Sequence, residues 1–276
     1  MTIETDGWRY KRWKKDGEQV KESLHFVHDG ISSRDMKCKQ VSLDAGLYEE
    51  IFLPNKTIIE KKVRYNHKPY FVGAEYDPLE IPMTIQFENV TDEEVRSICR
   101  WLDQDYYKEF YFENRPERRF YVIYSGDSRL LHNGIRDSGG IVSLVFRTNN
   151  PFSYSPVFVS ETYDLSVNGT NGTDITFVNS GDLPCKPILE FEKVGNGDLK
   201  IVNMSNAGQE FELKALLSGE KIRVDNHHKE IETDIVGTYR YDNHNDVFLE
   251  MLRGNNYLKV YGNVKMRFVY QFETKG

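Results

Sequence analysis

The alternation of hydrophobic and polar residues predicts strands on both sides of a short helix in the N-terminal half. Between residues 81 and 87 every second residue is apolar, a pattern typical of a strand with one buried face. Apolar residues alternate again in 110–112 and in 120–124, on either side of the polar stretch 114–118. Two alternating segments joined by a few polar residues predict a β-hairpin.

Residues 91–102, which lie between these strands, have the pattern of an amphipathic helix. Thr91 stands three residues before Glu94, the spacing of a capping box at a helix start. Four residues are predicted to form the structural core of this helix: Val95, Ile98, Trp101 and Leu102. Cys99 shares their stripe and is expected on the inner face. Because a helix of about three turns is marginal alone in water, we expect it to lie on a sheet.

The segment 44–80 differs from its surroundings because it is charged and poorly periodic. Within it, only 51–53 and 57–59 are candidates for short strands. A long irregular segment inside a compact domain is usually functional or binds a partner. We therefore interpret 44–80 as an arm used for interaction.

Prolines at 151 and 156 exclude a regular helix there and mark a domain boundary, giving domains 1–155 and 156–276. After the boundary, short apolar segments recur with turn residues between them, which predicts a β-sandwich. The apolar segments are Phe177, 188–191, 199–202, 211–213, 221–224, 247–249, 258–260 and 264–272. The fold class predicted for the whole chain is mainly β.

Composition and charge narrow the classes of function. The formal net charge is −7, which does not favour general binding to nucleic acid. The three cysteines, Cys38, Cys99 and Cys185, are far apart and match neither a disulfide framework nor a zinc site. No apolar run resembles a signal peptide or a membrane span, so no membrane insertion is expected.

Candidate catalytic and metal-binding residues all have simpler explanations. His25, His28 and Asp29 are close in sequence, but no second cluster of ligands completes a metal site, so we expect satisfied or exposed histidines. Glu93 and Glu94 lie in the first turn of the helix, where the helix dipole favours negative charge. The pair at 227–228 is expected in an exposed turn. We therefore predict no enzyme activity, no cofactor and no metal.

Carbohydrate binding through the C-terminal half is an alternative function. Sugar sites combine aromatic platforms with polar side chains, and four residues are candidates: Tyr239, Tyr241, His244 and Tyr257. The competing interpretation is that these tyrosines alternate in and out of an ordinary sandwich and that the neighbouring asparagines form turns.

Four segments in this order resemble the distal tail protein family of long-tailed siphophages and prophages of Gram-positive bacteria. They are FVHDGISSRDM at 26–36, the stretch 65–87 ending in EIPMTIQF, the helix and hairpin region 91–126, and FRTNNPFSYS at 146–155. The resemblance covers residues 20–156 and extends to the C-terminal half in architecture only.

The resemblance implies a fold and a role. The fold would be an N-terminal tail-tube-like β-sandwich with one α-helix and a β-hairpin arm, followed by an outward-facing galectin-like or carbohydrate-module-like β-sandwich. The protein would be a structural virion component, a homohexameric hub at the tail tip or baseplate, assembled in the cytoplasm of the bacterial host. Its partners would be the tail tube protein, the central fibre or tail-associated lysin, the tape measure protein and, in some phages, receptor-binding proteins. DNA would only pass through its lumen.

Overall fold

The computed structural model describes residues 24–42, 53–87, 89–132 and 139–275. These residues are mainly in antiparallel strands, as predicted. The chain divides into two compact units, the first ending at Phe152 and the second beginning at Ser153. No helix among the described residues is long and apolar enough to cross a membrane.

The first unit is built on a seven-stranded antiparallel sheet. Its elements are β1 Phe26–His28, β2 Ile31–Ser32, β3 Cys38–Gln40, β4 Lys56–Lys61, β5 Tyr70–Tyr76, β6 Glu80–Phe87, α1 Asp92–Leu102, β7 Lys108–Phe112, β8 Phe120–Leu131 and β9 Gly140–Thr148. The sheet has the order β2-β1-β7-β8-β9-β6-β3. The strand predicted at 81–87 is β6, and the predicted hairpin is the pair β7–β8, so both predictions are confirmed.

The helix α1 begins at the predicted capping box. The Thr91 side chain accepts a hydrogen bond from Glu94 N at 3.3 Å, and the Glu94 carboxylate accepts one from Thr91 N at 2.7 Å. Of the four residues proposed for the helix core, Ile98, Trp101 and Leu102 are buried and Val95 is half-buried. The Trp101 ring stacks on the ring of Phe26 in β1, with the two ring centroids 5.5 Å apart. The helix therefore covers one face of the sheet.

The prediction that Cys99 lies on the inner face is wrong, because its side chain is exposed. The buried stripe of α1 runs through Ile98, Trp101 and Leu102. Cys99 is one position, or about 100° of rotation, away from Ile98 and so lies at the edge of that stripe. At this edge no described element covers the helix completely, which exposes the thiol.

Loss of the cap should destabilise the first unit modestly. We expect Thr91→Ala to lower its free energy of unfolding by about 1 kcal/mol, because the N–H of Glu94 loses its acceptor. Thr91→Ser keeps a hydroxyl and is the matched control, with a much smaller effect expected. Denaturant unfolding followed by tryptophan fluorescence measures the difference. Equal stabilities for the two variants would contradict a capping role for the hydroxyl.

The segment around 44–80 is not irregular throughout, and that expectation is wrong. Residues 57–59 belong to β4, as predicted, but the residue pattern does not predict β5. These two strands pair with each other in a separate two-stranded sheet. Neither face of this hairpin is buried, so the sequence needs no period-two alternation there, and a bulge between Ile59 and Glu60 shifts the register. The strand candidate at 51–53 falls mostly outside the described residues.

The second unit is a β-sandwich, as predicted. Its strands are β10 Ser153–Tyr154, β11 Phe158–Val159, β12 Tyr163–Leu165, β13 Thr173–Asn179, β14 Ile188–Lys193, β15 Gly197–Asn203, β16 Gln209–Leu216, β17 Lys221–Asp225, β18 Glu230–Thr233, β19 Gly254–Tyr261, β20 Val264–Tyr270 and β21 Glu273–Thr274. One sheet has the order β11-β20-β14-β17-β18, with β12 also paired to β20, and the other has the order β13-β19-β15-β16. Alternate residues of both sheets form one buried cluster.

The strand predicted at 247–249 is absent, although Leu249 is fully buried. Side-chain amides make the hydrogen bonds to this backbone that a neighbouring strand would otherwise make. The Asn226 amide oxygen accepts a hydrogen bond from Leu249 N at 2.8 Å. Gln209 accepts one from Glu250 N at 3.0 Å and donates one to Phe248 O at 2.9 Å. An apolar segment can therefore be buried without forming a strand when polar side chains satisfy its backbone.

Candidate assembly surface

The β4–β5 hairpin, residues 56–76, is called the arm below. Its base is closed where Asn55 donates a side-chain hydrogen bond to Asp77 at 2.8 Å and Asp77 N donates to Asn55 O at 3.1 Å. Beyond this base, every residue of β4 is exposed. An isolated two-stranded hairpin is at best marginally stable in water, so a surface that covers the arm would stabilise it.

The arm presents large apolar side chains to solvent. Phe71 is 69% exposed, Val72 64% and Ile58 56%. Ile59, Val63, Tyr65 and Tyr70 are exposed as well. Soluble proteins rarely expose contiguous apolar surface without a function, and such patches usually mark contacts with other proteins.

The turn of the arm is strongly basic. Residues 61–68 contain four cationic side chains and no carboxylate: Lys61, Lys62, Arg64 and Lys68. None of the four forms an ion pair with another described residue. The arm therefore combines an apolar stem with a positively charged tip, which suits a partner surface that is apolar and bordered by acidic groups.

The histidines near the start of the sheet do not form a metal site. His25 contacts the Ser33 hydroxyl at 3.2 Å. His28 is fully buried, and neither of its ring nitrogens has a hydrogen-bond partner among the described residues, so the expectation of satisfied or exposed histidines is wrong for it. Burial lowers the pKa of His28 to about 4. No group of three or more potential ligands that could hold a metal occurs in the described part of the chain.

The imidazole of His28 lies among aromatic rings instead. Its ring centroid is 5.5 Å from that of Phe146 and 5.8 Å from that of Trp101. The Trp101 indole N–H donates a hydrogen bond to the His28 carbonyl at 2.9 Å. His28 thus helps to join α1 to the sheet. All three residues of β1 are buried, so no alternation in this short strand could reveal that the His28 ring lacks partners.

The four residues proposed for sugar binding do not converge on one site. Tyr239 is 65% exposed and its ring lies 4.9 Å from that of Tyr241, whose hydroxyl donates to Lys229 O. His244 is buried against Phe211. Tyr257 is exposed on β19, and no described ring contact joins it to the other three. The structure therefore brings together only Tyr239 and Tyr241.

The paired histidines His227 and His228 lie in an exposed turn, as predicted. Asp225, which is buried at the end of β17, accepts hydrogen bonds from both of their backbone N–H groups and contacts the His228 ring at 3.1 Å. The pKa of Asp225 is lowered: burial opposes this shift, but the bonds from His228 and His227 outweigh it. The cluster stabilises a turn and has no third ligand.

The second unit contains a buried ion pair that no sequence pattern predicts. Arg240 donates two hydrogen bonds to Glu220, from Nε and from Nη2, both at 2.7 Å, and both side chains are buried. The Thr233 hydroxyl donates a third at 2.7 Å and Leu217 N a fourth at 3.0 Å. The pair fixes the segment that presents Tyr239. The two partners are twenty residues apart with no periodic relation, so no local pattern could reveal the pair.

Two family models match the chain, one for each unit. A model described as a phage tail protein N-terminal domain matches residues 21–150, and one described as a phage tail C-terminal domain matches residues 159–270. The chain belongs to this family of phage tail proteins. The identification agrees with the resemblance read from the sequence.

Individual relatives of this phage tail protein come from phages and a prophage. It is 29% identical over 255 residues to the SPbeta prophage-derived uncharacterized protein YomH of Bacillus subtilis strain 168, covering 92% of this chain and 99% of the relative. Its fold is similar to that of SPP1 Dit, with a TM-score of 0.66 at 12% identity, covering 91% of this chain and all of Dit. SPP1 Dit is described as a paradigm of the hub adsorption apparatus in phages that infect Gram-positive bacteria.

A chain of the phage p2 baseplate in its activated conformation is also similar, with a TM-score of 0.58 at 6% identity. The match covers 91% of this chain and 98% of that one. At such low identities these likenesses establish a shared fold, so this phage tail protein has a Dit-like fold. The expected resemblance to distal tail proteins is thereby confirmed.

Proposed function

We propose that the chain is a structural subunit of the phage tail tip and that its N-terminal domain, predicted as residues 1–155, assembles into a closed homohexameric ring. The observation that most supports self-assembly is the arm, an isolated hairpin with exposed apolar side chains. The Dit-like fold of the whole chain supports the tail-tip location. The number six comes from the resemblance to the distal tail family.

Ring formation accounts for the energetics of the arm. Covering Phe71, Val72 and Ile58 removes apolar surface from water, at roughly 25 cal/mol for each Å² buried. That gain is available only when another chain supplies the covering surface. A contact between an arm and a different surface patch joins subunits head to tail, and a head-to-tail contact with a suitable rotation closes into a ring.

The remaining roles follow from this assignment. The ring would join the tail tube protein to the central fibre or tail lysin, with the tape measure protein as a further neighbour, and DNA would pass through its lumen. The C-terminal domain, predicted as residues 156–276, would face outward and anchor receptor-binding proteins. The protein would be part of the virion, assembled in the host cytoplasm, without enzymatic activity. Relatives in phage tails and baseplates support these roles.

Removal of the arm tests the proposal. We expect the natural chain to reach a mass near six subunits in light scattering, at high concentration or with its tail-tube and central-fibre partners. Replacing 56–76 with a short Gly-Ser turn between Asn55 and Asp77, which are already hydrogen bonded, should weaken assembly at least ten-fold. The second unit should keep its thermal transition, because the arm belongs to the first unit.

A matched control is Val236→Ser, which removes an almost fully exposed apolar side chain from the second unit. This variant should assemble like the natural chain. A protein that stays monomeric with all its tail partners would contradict the ring. Particle images of the assembly would test the six-fold symmetry directly.

Carbohydrate binding remains the alternative, now restricted to the Tyr239–Tyr241 pair. An exposed ring supported by a second ring gives a platform on which a sugar could stack. Glycan-array binding by the full chain, lost in Tyr239→Ala, would favour this function.

A further inference from the structure

The strand β13, Thr173–Asn179, forms a long straight edge of the second unit. It is the last strand of the sheet β13-β19-β15-β16 and pairs on one side only, with β19. All seven of its residues are in register with β19, without a bulge. A straight unpaired edge is a template on which another strand can add, and natural proteins usually protect such edges.

The other sheet edges of the second unit are protected. At β16 the Asn245 side chain donates a hydrogen bond to Glu210 O at 2.8 Å and accepts one from Glu212 N at 3.1 Å, so its amide takes the place of a neighbouring strand. At β18 the Tyr241 hydroxyl accepts a hydrogen bond from Ile231 N at 3.0 Å. The strands β11 and β12 are only two and three residues long. By contrast, β13 has no proline, no lysine and no bulge.

The hydrogen bonds of β19 show which groups of β13 face the open edge. Thr176 lies directly opposite Tyr257. Both backbone groups of Tyr257 are bonded to residues 204–205, at 2.9 and 3.0 Å, and therefore point away from β13. Hydrogen-bonded and non-hydrogen-bonded pairs alternate along an antiparallel ladder. Asp174, Thr176 and Val178 therefore direct their N–H and C=O groups to the open edge.

These outward groups are accessible. The described part of the chain offers them no hydrogen-bond partner beyond the edge. The side chains of the same three residues are exposed as well, with Val178 51% exposed. The edge therefore has the hydrogen-bonding capacity of a whole strand available for a partner.

We propose that β13 pairs antiparallel with β13 of a second copy of the chain, about a two-fold axis at Thr176. In this register Thr176 lies opposite Thr176 of the second copy, and Asp174 lies opposite Val178. Every outward N–H and C=O then has a partner, because each of these pairs exchanges two hydrogen bonds. A register shifted by two residues would leave one outward residue of each strand unpaired.

The side chains are complementary in the same register. On the inner face Ile175 lies opposite Phe177 of the second copy, which extends the apolar layer of the sandwich across the contact. Pairs of a β-branched and an aromatic residue are favourable across strands, and so are pairs of threonines. Asp174 is the only charged residue of β13, and it faces Val178. Its carboxylate already has Lys259 of its own chain at 3.5 Å, so no like charges face each other.

The proposed contact is separate from the ring. It lies in the second unit and relates two copies by a two-fold axis, so the same patch is used on both chains. The ring would use head-to-tail contacts of the first unit. Self-pairing of β13 therefore does not depend on ring formation.

Disulfide formation tests the two-fold axis. Cys99→Ser removes the exposed thiol from the full chain, while Cys38 and Cys185 are buried and their pKa is raised to about 12. In this background Thr176→Cys places two thiols opposite each other, with Cα atoms about 5.5 Å apart, which suits a disulfide. After oxidation with copper phenanthroline in air, we expect covalent dimers on a non-reducing gel.

Asp174→Cys in the same background is the matched control, because it lies on the same strand and the same exposed face. Its two copies would be about 14 Å apart along the paired strands, too far for a disulfide. We expect at least ten-fold less covalent dimer than with Thr176→Cys. Mixing Asp174→Cys chains with Val178→Cys chains should restore the dimer, since the register places these two residues opposite each other.

A charge on the axis gives a second test. Thr176→Lys, added to both chains of the Asp174→Cys and Val178→Cys mixture, places two ammonium groups opposite each other and should lower the disulfide yield at least ten-fold. Val236→Lys, an almost fully exposed site outside β13, is the control and should leave the yield unchanged. Calorimetry should show the same thermal transition of the second unit in both variants, because both side chains are exposed.

The possible results are distinct. Equal disulfide yields from Thr176→Cys and Asp174→Cys would indicate random collisions and overturn the two-fold register. No covalent dimer from Thr176→Cys, with the second unit folded, would overturn self-pairing and leave the edge to an extended segment of another protein. Disulfide formation in a chain that never reaches a mass near six subunits with its tail partners would support the pairing of β13 and overturn the ring alone.

Discussion

Glu220→Ala is expected to lower the free energy of unfolding of the second unit by about 3–5 kcal/mol, and Arg240→Ala by a similar amount. Each substitution leaves the other charge buried without its partner, since both side chains are inaccessible in the folded protein. Removing Glu220 also leaves the Thr233 hydroxyl and Leu217 N without their acceptor. The loss of stability therefore comes from the buried charged and polar groups that remain without a partner.

Two controls distinguish a buried pair from an ordinary salt bridge. Replacing both partners, as Glu220→Leu with Arg240→Met, removes both charges and should recover much of the lost stability. Arg223→Ala breaks the exposed contact with Glu232 and should cost less than about 1 kcal/mol. If Glu220→Ala and Arg223→Ala cost the same, the pair does not hold the fold as described.

The measurement must separate the two units. All three tryptophans precede residue 102, so tryptophan fluorescence follows the first unit and calorimetry of the full chain adds the second.

The pH dependence of the stability of the second unit gives a further check. Burial by itself would raise the pKa of Glu220, but the hydrogen bonds from Arg240, Leu217 N and Thr233 outweigh it, and the pKa lies below its ordinary value of 4.5. The stability from this carboxylate is therefore present above pH 4.5 and is lost as the pH falls further.

Local patterns predicted those parts of the fold that local interactions determine. The capping box at Thr91 and the alternation in β6 depend on residues within a few positions of each other, and both are present as predicted. The segment 247–249 has the same apolar character as a strand, yet amides from Asn226 and Gln209 satisfy its backbone. These donors and acceptors are twenty or more residues away, so a local pattern cannot reveal them.

The candidate assembly surface was predictable only in outline. The charged composition of 44–80 indicated an arm, but the strand β5 has both faces largely in solvent and so lacks the alternation that burial imposes. The exposure of Cys99 is also a tertiary effect, because no described element covers that edge of the helix completely.

The first unit is expected to lose stability as the pH falls from about 6.5 towards 4, because His28 must remain neutral in the folded state. Burial lowers the pKa of His28 to about 4, assisted by Lys108 and opposed by Asp29 and by the Trp101 backbone. The unfolded chain binds a proton near the ordinary pKa of 6.5, so lowering the pH favours unfolding. With about 1.36 kcal/mol for each pKa unit, the loss between pH 7.5 and pH 5 is about 2 kcal/mol and approaches about 3 kcal/mol at pH 4.

Substitution at His28 isolates this contribution from that of other titrating groups. His28→Phe keeps a ring among Trp101 and Phe146 but cannot bind a proton, so the difference in unfolding free energy between pH 7.5 and pH 5 should shrink by about 2 kcal/mol. His25→Phe is the comparison: burial lowers the pKa of His25 as well, but its ring is only half-buried and has the Ser33 hydroxyl as a partner, so this variant should reduce the pH dependence by less. Denaturant unfolding followed by tryptophan fluorescence at the two pH values measures all three chains, with Trp101 in direct contact with the site. An unchanged pH dependence in His28→Phe would show that the buried imidazole accepts a proton in the folded state without cost. The absence of partners for its two nitrogens argues against that result, since a buried imidazolium would then have two unsatisfied donors in an aromatic environment.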